Sequence, residues 1–245
     1  MADVVVLPDL NALVEEAAGR WTEIAKAAVS ERGEFTIALS GGRTPRPLYE
    51  KMASPPWRDE TPWDRTSVFF GDERRVPPDD PDSNYQMAYD AVLKHVPIPP
   101  DHVHRMDGQG LARSAAQEYE RTLVRHFSLA RREFPRMDLV LLGLGADAHT
   151  ASIFPGTRAV SDLTNMVLVY TVPQLGVERM TLGLSVINNA RNILFLVSGE
   201  SKADALESVL HGEQRPSTYP AQAVNPRDGS LTFLVDKAAA AKLPE

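Results

Sequence analysis

The chain has 245 residues, 43% of them hydrophobic and 24% charged, enough for a full core and unlike a disordered protein. It has no cysteine, which excludes disulfides, thiolate metal sites, thiol nucleophiles and iron–sulfur clusters. Lys+Arg total 26 against 33 Asp+Glu, a formal charge of −7, so neither nucleic acid nor an anionic membrane is an expected partner, and an anionic substrate needs a local cationic pocket. No apolar run approaches the roughly 20 residues of a membrane span. The start, MADVVVLPDL, lacks a basic segment and a long apolar stretch, so no signal peptide is expected and a cytoplasmic location is.

In chain order, residues 10–29 place Leu10, Leu13, Val14, Ala17, Ala18, Trp21, Ile24, Ala25, Ala28 and Val29 at three- and four-residue steps, an amphipathic helix with Asp9 as cap and Gly33 as stop. The sheet pattern begins at FTIAL, 35–39, which runs into Ser40-Gly41-Gly42. Thr44 and Pro45 predict a helix start, a polar cap followed by proline at the first helical position. A second strand, 67–70, ends in Gly71-Asp72-Glu73-Arg74, and a proline-rich loop reaches Asp82. Ser83 can cap a helix running to about His95, and 111–133 is a further helical pattern. The strand at 137–142 leads into Gly143-Leu144-Gly145. Strands follow at 166–172, 192–197 and 231–235, with a helix from Lys202 and an alanine-rich helix at the end. Strands that alternate with helices, several of them continuous apolar runs, predict a three-layer, Rossmann-like α/β fold. Its sheet is mostly parallel, with helices on both faces, and residues 1–245 read as one domain.

In open α/β sheets ligands bind beyond the carboxyl ends of the strands, and four informative segments lie there. Ser40, Gly41, Gly42, Arg43 and Thr44 combine glycines, hydroxyls and a cation before a helix, a cradle of phosphate-binding type. It is not a Walker loop. Ala38-Leu39-Ser40-Gly41-Gly42 also approximates a hydrolase nucleophile elbow, but Pro45 and Pro47 push the helix start too far downstream. Residues 143–148 match the dinucleotide fingerprint G-x-G-x-x-A, yet Asp147 would set a carboxylate against a pyrophosphate. Asp147 and His149 are the more useful pair, since an imidazole can take a proton near neutral pH and a carboxylate can fix its tautomer. Asp72 and Arg74 offer a carboxylate and a guanidinium at another strand end. Lys202 sits at a helix start, where a cation opposes the helix dipole unless an anion bridges the two. The histidines, His102 and His104 included, show no metal-ligand framework, and no metal is expected.

With SGGRTPRPLY, GDERRVPPDDPDSNY and HTASIFPG in these positions, the chain resembles the 6-phosphogluconolactonase family, a sister group of the glucosamine-6-phosphate deaminases. The resemblance runs from Phe35 to the C-terminal LTFLVDKAAA. It implies hydrolysis of 6-phospho-D-glucono-1,5-lactone, a small-molecule substrate, with no cofactor and no metal. It further implies His149 as the base that activates water and Asp147 as its partner. Asp72 and Arg74 become active-site residues, and Ser40, Gly41, Gly42, Arg179 and Lys202 phosphate contacts. The family usually carries Gly where this chain has Ala148, a change from a residue that permits positive φ to one that resists it. The deaminase reading is disfavoured because HTASIFPG carries no acid after the histidine. A sugar-phosphate-sensing regulator would need a DNA-binding module before the sheet, where only one helix is predicted. The sequence leaves oligomeric state open, a monomer included.

Overall fold

The computed structural model describes residues 2–244. In chain order its strands are β1 (Asp3–Leu7), β2 (Phe35–Leu39), β3 (Thr66–Phe70), β4 (Asp72–Arg74), β5 (Leu139–Gly143), β6 (Val167–Val172), β7 (Val177–Leu182), β8 (Asn192–Val197) and β9 (Ser230–Asp236). The helices are α1 (Leu10–Arg32), α2 (Arg46–Met52), α3 (Trp57–Glu60), α4 (Asn84–Ala91), α5 (Ala112–His126), α6 (Leu184–Ile187) and α7 (Ala203–Leu210). Six strands form a wholly parallel sheet in the order β1-β9-β8-β5-β2-β3. The expected α/β architecture with a mostly parallel sheet is thus observed. Every residue of β2 and of β3 is buried, as it must be when both faces of a sheet are covered.

Helix α1 obeys its sequence signals: Asp9 Oδ1 accepts from Ala12 N at 2.9 Å, and Gly33 closes the helix at φ 81°. The helix lays Leu13, Ala17, Ala18 and Trp21 against β2, β9 and α2. Trp21 meets Trp63 at 6.0 Å and the edge of Tyr49 at 6.3 Å, so three large buried rings join α1 to the segments around β2. At the amino end of the sheet, Asp138 is buried, accepts from Thr36 N and Oγ1 at 2.8 Å each, and is paired with Arg32 and Arg191. That network fixes the start of β2 beside β5, and hence where their carboxyl ends emerge.

Five expectations are corrected. The sheet begins at β1, before the first helix; it is a half-exposed edge strand of five residues, too short for a clear period. The strand predicted at 166–172 leaves the parallel sheet: β6 pairs antiparallel with β7, and β7 with β4, in a separate three-stranded sheet. Helix α5 ends at His126, because Leu129 N turns back to Val124 O and the Glu133 carboxylate takes Ala130 N at 2.8 Å, starting a new turn. The alanine-rich terminal segment makes turns, not a helix: Asp236 captures Ala239 N at 2.8 Å, and about seven residues are too few to pay for helix nucleation alone. Thr44 caps nothing; α2 begins at Arg46 with no side-chain cap.

Candidate active site

The chain passes from β2 to β3 on one side, then crosses to β5 on the other, so the strand order reverses between β2 and β5. A crevice opens at such a reversal, beyond the carboxyl ends. Here it is a cleft of about 530 Å³ lined by the loops after β2, β5 and β8, by β4 and by the start of α4.

The loop after β2 supplies Ser40, Gly41, Gly42, Arg43 and Thr44, all lining the cleft. Its first residue is clamped by the buried Tyr49 hydroxyl, which accepts from Ser40 N at 3.0 Å and donates to Ser40 O at 2.6 Å. Burial pushes that phenol well above its ordinary value, so it stays a donor. Gly42 takes φ 97°, a conformation open to glycine. Ser40 Oγ donates to Gly41 O at 3.3 Å and not to a histidine, which departs from a nucleophile elbow.

The loop after β5 does not open a helix, so it is no dinucleotide-binding turn. It folds back, with Gly145 N donating to His149 O at 2.8 Å. That turn puts His149 Nδ1 2.5 Å from Asp147 Oδ1, with the ring stacked on Phe154 at 4.2 Å. Burial works to raise the Asp147 carboxyl, but the hydrogen bond and charge of His149 outweigh it and hold Asp147 below its ordinary value. A carboxylate on Nδ1 keeps the proton there and leaves Nε2 as the acceptor. The turn requires φ 61° at Ala148, the left-handed angle that the expected glycine would take freely. Alanine holds it at a cost of about 1 kcal/mol, offset by burial and by Ala148 O accepting from Ala221 N at 3.0 Å.

In β4 successive side chains alternate, so Asp72 and Arg74 face the cleft and Glu73 faces away. Asp72 is buried and receives Ser152 Oγ at 2.5 Å and Asn84 Nδ2 at 3.2 Å. Glu73, raised by burial, accepts from Arg74 N, Asn84 N, Tyr85 N and Ser83 Oγ and so ties α4 to β4. Arg74 donates to Asp82 O. Its register partner in β7 is Arg179, which lines an adjoining depression with Arg74 and Arg75, beside the cleft. Burial first, and Arg74 second, lower Arg179.

The loop after β8 brings Lys202 into the cleft. It is positioned by Asp236 at the end of β9, which accepts from Ser198 Oγ at 2.5 Å and from Gly199 N at 3.1 Å. Burial and the nearby Arg43 lower Lys202, and Asp147 works the other way. Lys202 lies in a single 3-10 turn, Glu200–Lys202, ahead of α7. Of the residues singled out from sequence, ten share the cleft or its Asp147–His149 pair, and Arg179 adjoins it through Arg74. Sequence reasoning passed over Asn84, Ser152 and Asp236. All three lie inside quoted segments, and only their polarity hinted at a role.

Residues 8–233 match the family model described as glucosamine-6-phosphate isomerases/6-phosphogluconolactonase. A 6-phosphogluconolactonase of Synechocystis sp. is 42% identical over 241 residues, covering 98% of each chain. Among solved structures, the 6-phosphogluconolactonase from Trypanosoma cruzi superposes with a TM-score of 0.87 at 30% identity, covering 100% of this chain and 98% of that one. A monomeric glucosamine-6-phosphate deaminase shares the fold, with a TM-score of 0.82 at 23% identity, 98% of this chain and 99% of that one being covered. The glycine loop, the Asp147–His149 turn and the match over nearly the whole length agree: the chain belongs to the glucosamine-6-phosphate isomerase/6-phosphogluconolactonase family.

Proposed function

We propose that this chain hydrolyses 6-phospho-D-glucono-1,5-lactone to 6-phospho-D-gluconate, with water activated by His149. The observation that carries the reading is His149, paired with Asp147 at 2.5 Å, lining the same cleft as a glycine loop with Arg43 and Lys202. His149 Nε2 takes a proton from water as its oxygen bonds to the lactone carbonyl carbon. The tetrahedral intermediate then collapses: the bond from that carbon to the ring oxygen breaks, and the ring oxygen leaves with the proton held on His149. Asp147 stabilises the imidazolium between the two steps. The substrate phosphate sits on the backbone N–H groups of residues 40–44 with Lys202 and Arg43, where the lost solvation of Lys202 is made good by the anion. Asp72 and Arg74 contact the sugar hydroxyls, and Arg179 adds positive potential through Arg74. Phosphate binding, remote from the reacting carbon, supplies orientation.

The test is lactone turnover, corrected for spontaneous hydrolysis, by wild type and by His149→Asn. Wild type should accelerate hydrolysis, and His149→Asn should lose about 10²-fold or more in kcat while still binding 6-phosphogluconate. A folded His149→Asn enzyme at wild-type rate would remove His149 from the mechanism.

A further inference from the structure

Asn84 is the first residue of α4 and is 2% exposed, yet it lines the cleft. Its Nδ2 donates to Asp72 O at 2.9 Å and to Asp72 Oδ1 at 3.2 Å. Its Oδ1 is buried and has no hydrogen-bond partner among the described residues. An unpaired buried acceptor is normally avoided, because it loses its water and gains nothing. The reason for its placement is the packing of this amide against Gly41. A Cβ on Gly41 would stand 1.8 Å from Asn84 Oδ1 and 2.2 Å from Cγ, and the three nearest atoms to that Cβ all belong to this amide. Gly41 has no positive φ, so its glycine is required by this close approach and not by backbone angle.

From this geometry we infer that Asn84 is a positioning residue that couples the phosphate loop to Asp72, its amide clamped between Gly41 and the Asp72 carboxylate. The inference rests on the lactonase reading above. Gly41 packs against the whole amide, nearest its Oδ1, and the amide Nδ2 donates to Asp72 Oδ1, while Ser152 Oγ donates to Oδ2. A loop drawn onto a phosphate therefore sets the Asp72 carboxylate in its working orientation toward the sugar.

A double-mutant cycle tests this. Gly41→Ala alone should push Asn84 off Asp72 and weaken both inorganic phosphate inhibition and kcat. Asn84→Ala alone should lower kcat about 10- to 100-fold, the scale of a lost hydrogen bond to a charged group, with smaller change in phosphate inhibition. The pair Gly41→Ala/Asn84→Ala should recover phosphate affinity relative to Gly41→Ala, since the obstructing amide is gone, and should turn over no more slowly than Asn84→Ala. If Asn84→Ala fails to fold, Asn84→Asp keeps the shape but has no N–H to give. It should lose turnover similarly, and the acid limb of its pH–rate profile should move upward, because facing carboxylates raise one another. Additive losses in the cycle, or Asn84 variants with wild-type kcat and pH profile, would overturn the coupling. Absence of lactone turnover in the wild type would instead sink the lactonase reading, and phosphate and 6-phosphogluconate titration by calorimetry would still read the cycle.

Discussion

Replacing Gly145 by alanine drives a methyl group into the Asp147–His149 pair. The added Cβ would lie 2.1 Å from His149 Nδ1, 2.4 Å from its Cε1 and 2.5 Å from Asp147 Oδ1. All three are far inside van der Waals contact, so the imidazole and the carboxylate cannot both stay. Both side chains are partly exposed, at 31% and 48%, and can swing outward without disturbing the core. Gly145 has no positive φ, so alanine is tolerated by the backbone there. Stability should therefore change by less than about 1 kcal/mol. Turnover should fall by roughly 10²-fold or more, because a base moved off its axis loses both its tautomer control and its reach to water. The assay is lactone consumption corrected for the spontaneous rate, beside thermal unfolding and inhibition by inorganic phosphate. Phosphate inhibition should survive, since the loop at 40–44 is untouched. A stable Gly145→Ala enzyme within about threefold of wild-type kcat would refute the assignment of the pair.

Lys202→Ala should raise KM and the inhibition constant of inorganic phosphate about tenfold or more while sparing kcat; unchanged phosphate inhibition would place the anion elsewhere. Ala148→Gly should relieve the φ of 61° and leave stability near wild type, the strain relief of about 1 kcal/mol being set against added unfolded-state entropy and a lost buried methyl; a loss above about 2 kcal/mol in denaturant melts would show that the angle carries no strain. His104 stacks on Phe69 at 4.6 Å near His126, and burial followed by the charges of His126 and His102 depresses it to about 4, with Glu34 and Asp101 opposing. The unfolded histidine binds its proton near 6.5 and the folded one near 4, so stability should decline as pH falls from 6.5 to 4. His104 is only half-buried, so the loss is on the order of 1 kcal/mol; His104→Phe should flatten that part of the pH–stability curve, and an unaltered slope would discount the site.

The parts of the fold legible in the sequence were those with strong local signals. FTIAL, MDLVLL and NILFLV are mostly apolar runs, and the structure places FTIAL, NILFLV and Leu139–Leu142 of MDLVLL in the parallel sheet. Asp9, Gly33 and Ser83 act at the helix ends their residue types suggest. The strand predicted at 166–172 exists, but its sheet could not be read: pairing with β7 is a contact between segments joined by a turn, whereas β4 meets β7 across more than a hundred residues. Asp236 was hidden for a similar reason. Its work on Ser198 and Gly199 follows from β9 lying beside β8, a neighbour relation that no local pattern records.

The motif GDERRVPPDDPDSNY shows how a string becomes a site. Read as sequence, Asp72, Glu73 and Arg74 form one charge run, and Asn84 is a distant polar residue. The pleat of β4 divides the run, turning Asp72 and Arg74 to the cleft and Glu73 to the opposite side. Glu73 then closes the motif on itself, because its carboxylate takes the free N–H groups of Asn84 and Tyr85 at 2.7 and 2.8 Å where α4 begins. Burial penalises that carboxylate, but these donors and Ser83 Oγ meet its oxygens. The residue that faces away from the chemistry thus carries Asn84 back to Asp72. The polar pair at the cleft wall exists because a charged residue between them in function, though not in contact with the cleft, caps a helix.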